Sequence, residues 1–104
     1  MKFENKDPNC ISQEEVKALM KSNKNVVIID VRDAIDYEEE HIPKAIHIPL
    51  ANILELRKKA TIDTLVFTAC GKGGGRSTEA AKLLRENGFT NSNWICGGTL
   101  GWVQ

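Results

Sequence analysis

The chain has 104 residues, 41% hydrophobic and 27% charged, and its 14 basic and 14 acidic side chains cancel to a formal net charge of zero. Such a chain is one globular domain that can bury its own core without a metal or disulfides. The even charge balance offers no electrostatic basis for binding nucleic acid or an anionic membrane, and no apolar run nears the roughly 20 residues of a membrane-spanning helix.

Met1 to Asn9 are polar and lack the apolar centre of a signal peptide. Cys10, Cys70 and Cys96 are widely spaced and form no CxxC pair. That pattern points to free thiols in a reducing compartment, hence to a cytoplasmic protein, and away from a disulfide framework or a zinc site. Ser12 and Glu15 read as a capping box opening a helix with Val16, Leu19 and Met20 on one face. Val26 to Ile29 is an unbroken β-branched run ending at Asp30, as expected of a parallel strand covered on both faces. Asp33 to Glu40 suits a short helix, and Ala45 to Ile48, bracketed by Pro43 and Pro49, a short strand. Leu50, Ile53, Leu54 and Leu56 predict a further helix with Arg57, Lys58 and Lys59 solvated at its end. Leu65 to Ala69 is the second buried strand. After the glycines that follow it, a helix turns Ala80, Ala81, Leu83 and Leu84 inward and is capped by Gly88 after Asn87. A short strand near Trp94 and Ile95 meets a Gly97–Gly98 turn. Strands alternating with helices predict an α/β domain with a mainly parallel sheet.

The chemistry concentrates in Cys70-Gly71-Lys72-Gly73-Gly74-Gly75-Arg76-Ser77, between a buried strand and a helix. Open α/β sheets place their ligands at this end of a strand. Glycines allow successive N–H groups to turn inward as an anion nest, and the helix N-terminus adds partial positive charge. Positive surroundings favour the thiolate, which is the reactive form of cysteine, and Lys72 and Arg76 bring fixed charge to the same loop. A phosphate-binding Walker loop would need Ser or Thr after the lysine, where Gly73 stands, and no GxGxxG spacing fits. A nucleophilic sulfur facing an oxyanion substrate is the chemistry that remains.

Taken with the rest of the chain, these residues resemble the rhodanese family. The stretch IIDVRDAIDYEEEHIPKAIHIPL, Ile28 to Leu50, is similar to the family's Asp-Val-Arg followed by His-Ile-Pro-x-Ala-x-x-Ile-Pro. The strand ending in Cys70, the loop ending in Arg76-Ser77 and GGTLGW from Gly97 to Trp102 resemble the later signatures in the expected order. The resemblance implies a single domain over residues 1–104, a five-stranded, mainly parallel sheet with helices on both faces. It also implies a sulfurtransferase in which Cys70 takes a sulfane sulfur from a donor such as thiosulfate and yields the persulfide sulfur to a thiophilic acceptor. That acceptor would be a thiol, a cyanide-like small molecule or a protein; nucleic acid and membrane are not implied, nor a metal or an organic cofactor. Backbone N–H groups of Gly71, Lys72, Gly73, Gly74, Gly75 and Arg76 would hold the persulfide, with Lys72 also meeting the donor's sulfonate. Asp30, Arg32 and His41 match signature positions and are read as structural: a cap, an ion-pair partner and a packing histidine. Lys44 and Glu40 stand where the family commonly has glycine, at what reads as a surface turn.

The loop spacing, Cys-x5-Arg, is one residue longer than the usual single-domain rhodanese loop, and with Ser77 it matches the cysteine phosphatase signature. Two alternatives to sulfur transfer therefore stand: a phosphatase or arsenate reductase on the same fold, and a non-catalytic persulfide carrier or binding module. Ala69, where such phosphatases carry His, and a loop without an acidic residue weigh toward sulfur transfer. Cys10 and Cys96 are read as packing residues before they are resolving partners for an oxidised Cys70, and Trp94 and Trp102 as core or lid residues.

Overall fold

The two β-branched runs form the centre of the sheet in the computed structural model, which describes residues 10–22, 25–72 and 75–102. Val26–Asp30 (β2) pairs in parallel with Leu65–Ala69 (β4) over its full length, from Val26 opposite Leu65 to Asp30 opposite Ala69. Cys10–Ile11 (β1), Ile46–His47 (β3) and Ser92–Ile95 (β5) complete a five-stranded, all-parallel sheet in the order β1-β5-β4-β2-β3. The α/β architecture expected from the alternation of elements is thus present.

Side chains alternate across a strand, and here the alternation sorts two apolar cores. Ile29, Val31, Val66 and Cys70 pack on one face with Ala80, Leu84 and Phe89. These last belong to, or follow, the helix Arg76–Glu86 (α3). Ile28, Phe67, Ala69 and Ile95 pack on the other face with Val16 of the helix Gln13–Ser22 (α1), Ile42 and Ala45. Trp102, at the end of Gly98–Trp102 (α4), covers this second core. A short helix, Ala34–Glu39 (α2), links β2 toward β3. None of the described helices is long and apolar enough to cross a membrane.

Several expectations change. The segment Leu50–Lys58 is 3₁₀ rather than α, broken at Asn52, whose φ of −113° and ψ of 16° leave the helical region; Pro49 precedes it, and Asn52 bonds back to the Pro49 carbonyl at 2.8 Å. The strand β1 and the helix α4 have no counterpart in the sequence reading. The cysteines are corrected too: Cys10 and Cys96 form a disulfide, with Cα atoms 5.3 Å apart, so they are neither free thiols nor plain packing residues. The cause is long-range. Parallel pairing of β1 with β5, sealed by the Cys96 N–H to the Ile11 carbonyl at 2.9 Å, joins residues 86 positions apart. Disulfide formation depends on Cα spacing, which linear spacing does not reveal.

Candidate active site

The chain leaves β2 outward to β3 and leaves β4 the other way to β5, so the carboxyl ends of β2 and β4 border the crevice where ligands of parallel sheets bind. Cys70 is the first residue beyond β4 at this crevice, buried and 6% exposed. Among the described residues it is the cysteine that stands outside a disulfide. Its Sγ lies 3.3 Å from Ser77 Oγ, to which the thiol donates. Ser77 itself is fully buried in the first turn of α3, and that turn is tied to the strand by the Thr68 hydroxyl, which donates to the Ser77 carbonyl at 2.8 Å. Strand and helix therefore fix sulfur and hydroxyl relative to each other.

Between them runs the glycine loop. Gly73 and Gly74 lie outside the described residues; Gly71 is half-buried, while Lys72, Gly75 and Arg76 are exposed. Gly75, at the start of α3, has φ 50° and ψ −117°, a backbone that side chains rarely adopt. It offers no side-chain cap, and the first-turn N–H groups of a helix have no acceptor within it. The other end of the loop is held by α4: Thr99 N–H donates to the Cys70 carbonyl at 2.8 Å and Leu100 N–H to the Gly71 carbonyl at 2.9 Å. The turn leading into α4 has Gly97 and Gly98 at φ 82° and 60°.

Across the crevice, Arg32 grips Asp30 with two nitrogens, Nε to Oδ1 at 3.0 Å and Nη2 to Oδ2 at 2.8 Å, and Nη2 also donates to the Glu40 carbonyl at 2.6 Å. Both residues are buried. The Asp30 hydrogen bonds raise the Arg32 pKa above its usual value against the cost of burial, with smaller contributions from the charges of Asp30, Asp36 and Cys70. The guanidinium is permanently charged. Arg76 forms an ion pair with Asp33 at 3.9 Å, with both side chains exposed, a contact worth little to stability. His41 stacks on Tyr37 at 3.9 Å and shares a 2.7 Å hydrogen bond with its carbonyl, the packing role expected of it; His47 stacks on the same ring. Among the described residues no three His, Cys, Asp or Glu side chains converge in a way that could hold a metal.

Sequence reasoning singled out Cys70 and its loop and counted Ser77 in the loop signature, but gave no role to the Ser77 hydroxyl or to the α4 amides. A serine one residue into a helix whose N-terminus faces a cysteine was the available signal for the first. The second had none, since α4 contributes through its backbone.

Comparison with known proteins gives a consistent result. A family model described as "Rhodanese-like domain" matches residues 12–104. The thiosulfate sulfurtransferase GlpE of Coxiella burnetii is 38% identical over 92 residues, covering 88% of this chain and 84% of that protein. The putative sulfur carrier protein YrkF of Bacillus subtilis is 30% identical over 93 residues, covering 89% of this chain and 50% of that protein. Among solved structures, a rhodanese-related protein from Thermoplasma volcanium superposes with a TM-score of 0.71 at 25% identity, covering 91% of this chain and 90% of that one.

Proposed function

Since the chain belongs to the rhodanese-like domain family, we propose that it is a sulfurtransferase moving a sulfane sulfur from a donor such as thiosulfate to a thiophilic acceptor through a persulfide on Cys70. The observation carrying this reading is the position of Cys70: a buried sulfur beside the Ser77 hydroxyl, at the mouth of a glycine loop that opens onto a helix N-terminus. The Cys70 thiolate attacks the outer sulfur of thiosulfate, the donor's S–S bond breaks, and sulfite leaves with the bonding electrons. Amides of Gly71 to Arg76 and the α3 N-terminus stabilise the anionic persulfide. Ser77 can reverse its hydroxyl to donate, because a serine oxygen is both donor and acceptor. Lys72, exposed on the loop, meets the sulfonate. An acceptor thiolate or cyanide then takes the outer sulfur and returns Cys70 to its thiolate. A cytoplasmic setting belongs to this proposal, because Cys70 works as a free thiol and a reducing compartment keeps it so.

The loop length leaves phosphate-ester hydrolysis as the competing chemistry, and one pair of assays separates the two. A leaving alkoxide or phenoxide needs a proton, and general acid help is worth roughly 10²–10⁴-fold; sulfite needs none. Thiosulfate-to-cyanide transfer is expected, lost in Cys70→Ser, with aryl phosphate hydrolysis no faster than in that variant. Robust Cys70-dependent phosphate release without sulfur transfer would reverse the order.

A further inference from the structure

The chain's three cysteines lie at one end of the sheet, on or just beyond three neighbouring strands. Cys70 follows β4, Cys96 follows β5 and Cys10 begins β1, in the spatial order β1-β5-β4. β4 and β5 are neighbours in parallel, paired as far as Thr68 opposite Trp94, and Cys70 and Cys96 each follow two residues later at the same end of the sheet. The chain beyond Cys96 also folds back onto Cys70, through the Thr99 N–H to its carbonyl. Ile11 and Ile95 belong to the core on the α1 face. Strand alternation therefore turns Cys10, next to Ile11 in β1, to the α3 face, where Cys70 packs, and the disulfide ties Cys96 to it. Cys10 and Cys96 are half-buried, within reach of an external thiol. In mesophilic cytoplasm a disulfide is usually transient and catalytic or redox-sensing rather than structural.

Resting on the sulfurtransferase reading, we propose a further activity: the Cys10–Cys96 pair, when reduced, is an internal acceptor that reduces the sulfane sulfur of Cys70 and releases it as sulfide. The Cys96 thiolate attacks the outer sulfur of the Cys70 persulfide; that S–S bond breaks and the Cys70 thiolate leaves. The Cys10 thiolate then attacks the inner sulfur of the Cys96 persulfide, closing the disulfide seen in the structure and expelling hydrosulfide. The two electrons that convert sulfane sulfur to sulfide come from the pair. A soluble dithiol restores it by thiol–disulfide exchange and leaves as its own disulfide. Over the cycle, thiosulfate and a dithiol become sulfite, hydrogen sulfide and the oxidised dithiol.

The test is a single turnover. Wild-type protein with the pair reduced, stripped of reductant, is given thiosulfate equal to the chain concentration, and the protein with the pair oxidised is treated alongside. Sulfide, sulfite and the intact mass are followed. The reduced protein should release sulfide equal to its own amount, its Cys70 persulfide decaying with a first-order rate constant independent of protein concentration, and regain the Cys10–Cys96 disulfide. The oxidised protein should stop at the Cys70 persulfide. Cys96→Ser should also stop there, whereas Cys10→Ser should hold the extra sulfur without releasing it; the wild-type comparison decides if either variant fails to fold. A persulfide on Cys70 that survives beside a reduced pair overturns this inference and spares the sulfurtransferase reading, as does a persulfide decay whose rate constant rises with protein concentration. Failure of the reduced form alone to take up sulfur also overturns it, making the disulfide a structural latch. Absence of Cys70 persulfide in both forms defeats the sulfurtransferase reading itself.

Discussion

Ser77 and Lys44 mark what single residues contribute. The Ser77 hydroxyl, 3.3 Å from the Cys70 sulfur, is buried with it, so its value rises when that sulfur is charged. A hydrogen bond to a charged group contributes about 1.5–3 kcal/mol. Ser77→Ala should therefore slow thiosulfate-dependent persulfide formation by roughly ten- to a hundredfold, while circular dichroism reports an unchanged fold, since alanine suits a helix well. An unchanged rate would reduce Ser77 to a packing residue. Lys44 is the exposed residue at φ 72° where the family commonly has glycine. Glu40, the other such position, is extended at φ −167° and carries no such cost. A left-handed backbone costs an L-residue about 1–2 kcal/mol and glycine's added freedom when unfolded returns about half of that. Lys44→Gly should accordingly raise unfolding free energy by about 0.5–1 kcal/mol in chemical denaturation, with sulfur transfer unaltered. From sequence, both glycine departures looked alike; only the backbone angle tells them apart.

The helices show how much of an element is written locally. At the start of α1 the Glu15 N–H donates to Ser12 Oγ at 3.1 Å, the N-cap half of the expected capping box, and the Ser12 hydroxyl donates to the Glu15 carboxylate at 3.3 Å. N-caps are worth about 1 kcal/mol. Ser12→Ala should lower the melting temperature by roughly 4–8 °C for a domain of this size and leave Cys70 chemistry intact. A loss of activity at unchanged stability would mean that α1 positions the site directly. At the end of α3, Phe89 N–H bonds the Leu84 carbonyl at 2.9 Å and Gly88 N–H the Arg85 carbonyl at 3.4 Å, with Gly88 at φ 102°. Leu84 and Phe89 pack in one core, which completes the motif that Asn87-Gly88 announces. Elements with such signals, or with a strong apolar run as in β2 and β4, were legible. Two-residue β1 exists only because β5 is there to pair with it, and α4 begins in a Gly97–Gly98 turn that reads as a breaker. Their stability is tertiary, and no local pattern carries it.

Over the whole molecule, the sheet order matters more than any element. Placing β4 between β2 and β5 sets the strand end that carries Cys70 between the β2 end, with its Arg32–Asp30 pair, and the β5 end, with its Cys10–Cys96 pair. The strand–loop–helix around Cys70 could be read from sequence because its parts are contiguous. Its neighbours could not, since they come from residues tens of positions away, and the disulfide inverted the expectation drawn from cysteine spacing. The longer loop, too, was visible as a count but not as a chemistry. The central claim, that Cys70 is the residue that carries sulfur, is open to one direct measurement. Protein with the Cys10–Cys96 disulfide intact is exposed to thiosulfate, and its mass is compared with untreated protein and with Cys70→Ser. A gain of one sulfur atom, mapped by peptide fragmentation to Cys70, reversed by cyanide and absent from the variant, is the predicted result. An unchanged mass, or a sulfur that persists in Cys70→Ser, would contradict it.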